Sequence, residues 1–253
     1  MPPIPAINPN FYAVGFEDTY FINNLGSIVL SIFGFLGLQA LSVVTRRFKK
    51  KSPYIKEKWH GIQPTCFWHM PIRVILTSYS ILALSALMTI RQPQWKHPGP
   101  FIDTVFSLIG LIVTIVFPAI VLYLMITKFQ DFNLKNFELR YGSLYEGLDI
   151  TNKWIIAYRL WFIIRRLLLA VAVVFMKNLT YQILFWFAQE IVSLVILGYG
   201  YPFKERSQWR SEMWNEVFIL STIYFTMFFS PYISNVDVLN GLGYCFVGIL
   251  FFH

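Results

Sequence analysis

The sequence predicts an all-α fold, a polytopic membrane helix bundle with about seven transmembrane helices. Apolar residues make up 56% of the 253 residues, and charged residues only 13%, about half the share that is typical of soluble domains. Long runs without Asp, Glu, Lys or Arg alternate with short polar connections. Tryptophan and tyrosine are frequent near the ends of these runs, where the aromatic belts of membrane proteins lie.

The apolar runs are long enough to cross a hydrocarbon core of about 30 Å as helices. Backbone groups in lipid need internal partners, so only helices or a closed barrel can span, and uninterrupted apolar runs lack the alternation of a barrel strand. The fourth and fifth runs are interrupted by three arginines and one glutamate, and the seventh run is short. The chain is therefore predicted to be a single membrane domain, 1–253, with spans at about 22–44, 73–90, 102–127, 155–176, 179–199, 215–233 and 238–253.

The basic residues predict the orientation of these spans. The connections 45–73, 128–154 and 201–214 together carry fifteen Lys and Arg, whereas the alternate connections carry three. Because basic loops stay in the cytoplasm, the N-terminus is predicted outside and the C-terminus in the cytoplasm. Within the first of these connections a basic run is a candidate for contact with anionic lipid headgroups, although ordinary topology explains it as well. Its residues are Arg46, Arg47, Lys49, Lys50 and Lys51.

Charged residues inside the fourth and fifth spans are the main candidate site. Arg166 precedes Asn178 by twelve residues and Glu190 follows it by twelve, so a helical hairpin would bring both to about 18 Å from the turn. Arg165 points about 100° away from Arg166 and is expected to meet another polar group. Two interpretations stay open for this intramembrane ion pair of Arg165, Arg166 and Glu190. It is either a structural pair that fixes helix register, or a charged step on an ion or proton pathway or in a displacement sensor.

The connection 128–154 has a second candidate feature. Tyr141, Leu144, Tyr145 and Leu148 would share one face of a helix and could lie in the membrane interface. Two glycines within this stretch weaken a helix, so an ordered loop is the alternative. No glycine-rich phosphate loop, GxSxG, HExxH or paired CxxC occurs in the sequence, so no enzymatic activity, cofactor, metal or nucleic-acid partner is expected.

Several short motifs, in their order along the chain, resemble a known family. They are 21–26, 140–148 followed by Arg165-Arg166-Leu167, and 201–204 followed by Trp214-Asn215-Glu216. Together they resemble the C-terminal multi-pass membrane domain of large ciliate surface proteins, which is itself similar to the TRP-like, polycystin-related membrane domain. The resemblance implies a plasma or ciliary membrane and an ectodomain, here expected on a partner. A mitochondrial inner membrane is also compatible with the composition.

Two functions follow as hypotheses. The first is a membrane anchor or structural subunit of a larger surface or ciliary assembly, with lipids and other subunits as partners. The alternative is a TRP-like or polycystin-like ion channel or channel subunit. The short connections after the fifth and sixth spans leave little room for a re-entrant filter loop, which favours the first hypothesis.

Overall fold

The computed structural model describes residues 20–26, 34, 37, 39–40, 68–93, 95, 98–229 and 236–251. Within those ranges every regular element is helical. The chain forms two compact units, Met1–Glu146 and Gly147–His253, whereas the sequence predicts a single domain.

Six helices of the structure correspond to six predicted spans, and their ends differ from the predicted ones by a few residues in most cases. Of the first predicted span, 22–44, the structure describes the start and a few scattered helical residues. The first unit contains α1 (Phe21–Asn24), α2 (Met70–Arg91), α3 (Pro98–Thr127) and α4 (Lys135–Tyr141), with 3-10 turns at Phe129–Asn133 and Gly142–Leu144. The second unit contains α5 (Trp154–Phe175), α6 (Leu179–Gly200), α7 (Arg206–Phe228) and α8 (Val236–Phe251).

Within the described ranges three helices, α2, α3 and α6, are long and apolar enough to cross a membrane by length and composition. The other long helices differ from them in identifiable ways. Helix α5 carries three arginines, and α7 begins with a polar segment that contains four charged residues. Helix α8 is only 16 residues long, which is short of the roughly 20 residues that a span requires.

Helices α2 and α3 pack together as a hairpin that repairs a break in the α3 ladder. Pro118 lies inside α3 and has no N–H, so the Thr114 carbonyl one turn earlier loses its helical donor. The Tyr79 hydroxyl of α2 donates to that carbonyl at 2.6 Å. Tyr79 is fully buried, and its ring lies 6.1 Å from that of Phe117. A tyrosine on one helix therefore satisfies the carbonyl that proline frees on the other.

Replacing Tyr79 by phenylalanine is expected to lower the free energy of unfolding of this unit by about 1–3 kcal/mol, because the Thr114 carbonyl is left buried without a donor. The measurement is denaturant unfolding in detergent micelles. The same change in a Pro118→Ala background restores the helical N–H and should have a much smaller effect. Equal losses in the two backgrounds would show that the hydroxyl does not serve the proline break.

Helix α1 packs against the first half of α3 through a buried carboxylate and a glycine. Asp103 accepts the backbone N–H groups of Phe21 and Ile22, both at 2.9 Å. The Phe21 ring covers Gly110, where an added Cβ would lie 2.5 Å from its Cζ atom. The carboxylate therefore satisfies two N–H groups at the start of α1, which have no partner inside their own helix. The glycine gives the ring its space.

Gly110→Ala is expected to destabilise the first unit by about 1–3 kcal/mol through overpacking, because the new methyl group overlaps the Phe21 ring. Gly198 in α6 is the matched control, since an added Cβ there meets nothing within 4 Å. Gly198→Ala should be neutral or stabilising, because alanine favours a helix over glycine. Thermal unfolding in micelles measures both variants, and indistinguishable midpoints would contradict the proposed overlap.

The second unit is built around an antiparallel hairpin of α5 and α6. The residues 176–178 connect the two helices, and the Asn178 side chain accepts the N–H of Thr180 at 2.9 Å, which caps α6. Helix α7 packs against α6, and α8 against α7. The Phe246 ring of α8 lies 6.4 Å from Phe225 and 6.1 Å from Phe229.

Side chains close the end of the unit where α5 begins and α6 ends. The Asn152 amide donates to the Gly200 carbonyl at 2.6 Å, and the Trp209 indole N–H donates to the Leu197 carbonyl at 3.0 Å. Both carbonyls belong to the last turn of α6, where no helical donor follows. An isolated antiparallel bridge between Leu148 and Phe203 joins the two connecting segments. The end of α6 is thereby fixed to both of its neighbouring segments.

Candidate functional site: a buried charged cluster

Three charged residues from three helices meet at one height in the second unit. Arg165 lies eleven residues after the start of α5, Glu190 ten residues before the end of α6, and Glu216 ten residues after the start of α7. These three helix ends lie on the same side of the unit. At 1.5 Å per residue, all three groups lie about 15–16 Å from that side. The cluster is therefore at mid-height of the helices.

The Arg165 guanidinium is the centre of this cluster. Its Nη1 atom lies 2.6 Å from Glu216 Oε2, 3.4 Å from Glu190 Oε2 and 2.9 Å from Ser193 Oγ. Both glutamates are buried, with side-chain exposures of 4% for Glu190 and 8% for Glu216, and the arginine side chain is 18% exposed. One cation thus contacts two carboxyl groups away from solvent and links α5 to both α6 and α7.

Ser193 extends the cluster along α6. Its hydroxyl receives the Trp161 indole N–H at 2.8 Å and donates to the Gln189 carbonyl at 3.1 Å, one turn earlier in its own helix. Trp161 lies one turn before Arg165 in α5, so α5 reaches the same serine oxygen from two positions. The serine therefore orients the arginine and strengthens the α5–α6 contact.

The spacing in the sequence predicts Arg166 as the cation opposite Glu190, whereas in the structure Arg165 makes that contact. The Arg166 guanidinium instead lies over the Phe162 ring, 4.1 Å from its centroid. Equal distance from the turn determines the height of a residue along the helix, but not the direction in which its side chain points. Neighbouring residues differ by about 100° around the axis, and the arginine one position earlier is the one that faces α6 and α7.

Glu216 was not predicted as a site residue. It falls at the start of the predicted sixth span, 215–233, one position before the charge-free run, and the sequence indicates no partner for it. The structure starts α7 at Arg206, and Glu216 is consequently in the middle of a helix. One feature of the sequence indicates a buried glutamate here. Glu216 stands directly before a long apolar run and two residues after a tryptophan.

The predicted interfacial helix is not formed as a single element. Helix α4 ends at Tyr141, a 3-10 turn covers Gly142–Leu144, and Gly147 has a φ of 78°, which breaks any helix there. Leu144, Tyr145 and Leu148 are buried in protein rather than exposed along one face. The ordered-loop alternative is therefore the one that the structure supports.

Tyr145 is the centre of an aromatic cluster in the first unit. Its ring stacks on Phe132 with centroids 4.7 Å apart and on Phe137 at 6.4 Å. Burial, and then the negative charge of Glu138, raise the pKa of Tyr145 to about 12. The hydroxyl consequently stays neutral at physiological pH.

The basic run at Arg46, Arg47, Lys49, Lys50 and Lys51 lies outside the residues that the structure describes.

A groove of about 350 Å³ lies on the outer face of α6. Its lining is almost wholly apolar: Ile191, Leu194, Val195, Gly198 and Tyr199. Isoleucine and valine side chains here are exposed, whereas Glu190 and Ser193 on the same helix are buried. The charged cluster and the groove therefore belong to different faces of α6.

No protein-family model, curated protein or solved structure matches this chain. The resemblance of its motifs to the ciliate membrane domain therefore remains a prediction from the residues alone.

Proposed function

We propose that the protein is a multi-pass integral membrane protein that acts as an anchor or structural subunit of a larger surface or ciliary assembly. The observation that carries the membrane part is the distribution of side chains on α3. In the first half of the helix its buried face holds Asp103, Thr104, Ser107, Gly110 and Thr114, and in the second half it holds Phe117, Val121 and Met125. Its exposed face is apolar over the whole length of the helix, at Phe101, Ile102, Phe106, Ile109, Ile112, Ile115, Ile120 and Ile126.

This distribution is the reverse of that in a soluble protein, whose helices bury their apolar face and expose their polar one. An apolar exterior of this extent suits hydrocarbon as the surrounding solvent. The polar groups inside are hydrogen-bonded to nearby backbone, as for Thr114 Oγ1 to the Gly110 carbonyl at 2.6 Å. Helix α6 repeats the pattern, with Gln189, Glu190 and Ser193 buried and Ile191, Val192 and Val195 exposed.

The proposal includes seven spans with the N-terminus outside and the C-terminus in the cytoplasm. The charge asymmetry of the connections supports this orientation. The arginine at mid-height of α5 is compatible with a span, because its charge is in contact with two carboxyl groups of neighbouring helices. In this orientation the side of the second unit where α5 begins and α6 ends faces the cytoplasm.

The contacts of the charged residues in the second unit favour a structural role. Arg165 links three helices by direct contacts, which is what a fixed helix arrangement requires. The groove on α6 is apolar, and its lining offers no charged or polar ring for ion passage. The exposed apolar faces of α3 and α6 suit contact with lipid and with the helices of other subunits.

The channel alternative retains one specific supporting observation. The cluster brings two carboxyl groups to a single guanidinium at membrane depth, and such groups mark ion and proton pathways in other membrane proteins. Flux assays with the purified protein in sealed liposomes decide between the two functions. A structural subunit gives cation and proton flux equal to that of empty liposomes. Flux above that level that is lost in a Glu190→Gln variant, in which Glu216 still pairs with Arg165, would favour a channel.

The membrane part is tested separately by extraction and labelling. Alkaline carbonate should leave the protein in the membrane pellet. Cysteines introduced singly at Lys153 and Ser207 should react with an impermeant reagent only after the cytoplasmic side is opened, whereas one at Lys177 should react in intact cells. Release by carbonate would refute membrane insertion, and the opposite labelling pattern would refute the orientation.

A further inference from the structure

The two carboxyl groups of the charged cluster are close to each other as well as to Arg165. Glu190 Oε2 and Glu216 Oε2 both contact the same guanidinium nitrogen, Arg165 Nη1, at 3.4 and 2.6 Å, so the two oxygens are neighbours across one nitrogen atom. The second oxygen of Glu190, Oε1, is buried and has no hydrogen-bond partner among the described residues. A buried carboxylate oxygen without a donor is energetically unfavourable when the group is ionised.

We infer that the cluster of Arg165, Glu190 and Glu216 is a proton-binding site that holds one proton between its two carboxyl groups. Two ionised carboxylates in contact repel each other, and removal from water increases the repulsion. One bound proton turns the pair into a monoanion, which a single guanidinium balances. The proton also provides the donor that lets one carboxyl group hydrogen-bond to the other.

The distances assign the proton to Glu190. Glu216 makes the 2.6 Å contact with Arg165, and a short charge-assisted bond favours the ionised form of the acceptor. Glu190 makes the longer 3.4 Å contact and has the unpartnered oxygen. Glu190 is then the neutral acid that donates to the Glu216 carboxylate. On release, the proton leaves Glu190, and Glu190 then becomes anionic like Glu216.

Other charged groups around the pair act in both directions. Arg159 and Arg166 of α5 favour release of the proton, but both guanidinium groups lie over the Phe162 ring, 5.5 and 4.1 Å from its centroid. Glu212 lies one turn before Glu216 in α7 and favours retention. Tyr158 lies two turns before Arg165 in α5 and is neutral at physiological pH, so it adds no charge to the site. Because the two carboxyl groups share one guanidinium nitrogen, their mutual repulsion is the dominant interaction at the site.

Infrared spectroscopy of the full chain in lipid measures the site directly, because a protonated carboxyl group has a C=O stretch separate from that of a carboxylate. With 13C-labelled glutamate, the wild-type protein at neutral pH should show a protonated glutamate band that shifts with the isotope and in D2O. The band should be absent in Glu190→Gln. It should also be lost in Glu216→Gln, because the remaining Glu190 is then balanced by Arg165 and ionises.

Glu212→Gln is the matched control, since it removes a neighbouring carboxyl group of the same helix and should keep the band. Absence of the band in the wild-type protein at neutral pH would overturn the inference without any variant. A band that persists in both Glu190→Gln and Glu216→Gln, or that disappears only in Glu212→Gln, would also overturn it. The infrared test of this site is separate from the tests of the proposed structural role. The protonated glutamate band is present or absent whether or not the protein conducts ions or binds other subunits.

Discussion

Replacing Arg165 by methionine is expected to lower the free energy of unfolding of the second unit by about 3–5 kcal/mol, the range for breaking a buried ion pair by removing one partner. Methionine keeps much of the volume of the arginine side chain but leaves Glu190 and Glu216 without a cation. The Ser193 hydroxyl also loses the guanidinium donor at 2.9 Å. Unfolding in mixed micelles, followed by circular dichroism, measures the loss.

Arg166→Met is the control for the loss of an arginine at nearly the same depth. Arg166 lies over the Phe162 ring, and its removal leaves Glu190 and Glu216 paired with Arg165, so the control should be clearly more stable than Arg165→Met. The triple variant Arg165→Met, Glu190→Gln, Glu216→Gln removes every charge of the cluster and should recover most of the loss. Equal effects at the two arginines would contradict the central position of Arg165.

The rescue expected from the triple variant follows from the general behaviour of buried ion pairs. Their mutual attraction roughly offsets the penalty for removing them from water, whereas an isolated buried charge keeps the penalty alone. Removal of Glu190 by itself therefore differs from removal of Arg165. With Glu216 still 2.6 Å from the guanidinium, a Glu190→Gln variant keeps the cation paired.

The long helices could be predicted from the sequence because long apolar runs with few charges have the length and composition of membrane-spanning helices. Helices α2 and α3 enclose the predicted spans at 73–90 and 102–127. The polar seam between them could not be predicted, because it depends on which residues face each other. Pro118 lies within the third predicted span, but nothing in the sequence identifies Tyr79 as the donor for the carbonyl that this proline frees.

The charged cluster shows the same limit. A short turn between two helices predicts that an arginine and a glutamate meet at one depth, and the structure brings Arg165 to Glu190. The sequence could not choose between adjacent arginines, since rotation about the helix axis depends on packing. The sequence also predicts no contact for Glu216. It does not show how α6 and α7 pack together, and α7 begins at Arg206, well before its apolar run.

Asp103→Asn is expected to release α1 from α3. The carboxylate accepts two backbone N–H groups, those of Phe21 and Ile22, with both of its oxygens. Asparagine has almost the same shape but only one acceptor, and its NH2 group would face one of the two N–H donors. The loss of one charge-assisted bond and the weakening of the other correspond to about 2–3 kcal/mol.

Hydrogen exchange at the Phe21 and Ile22 amides measures this release, because α1 can open without unfolding the α2–α3 hairpin. A loss of about 2 kcal/mol raises the rate of amide exchange by roughly 30-fold if exchange occurs through local opening. The control is Asp131→Asn, which removes a partly exposed carboxylate paired with Lys128 at 3.3 Å in the same unit. A surface pair of this kind contributes about 0–1 kcal/mol, so the control should leave exchange at Phe21 and Ile22 unchanged. If Asp103→Asn likewise leaves it unchanged, the carboxylate does not hold α1, and the packing of Phe21 on Gly110 must be sufficient by itself.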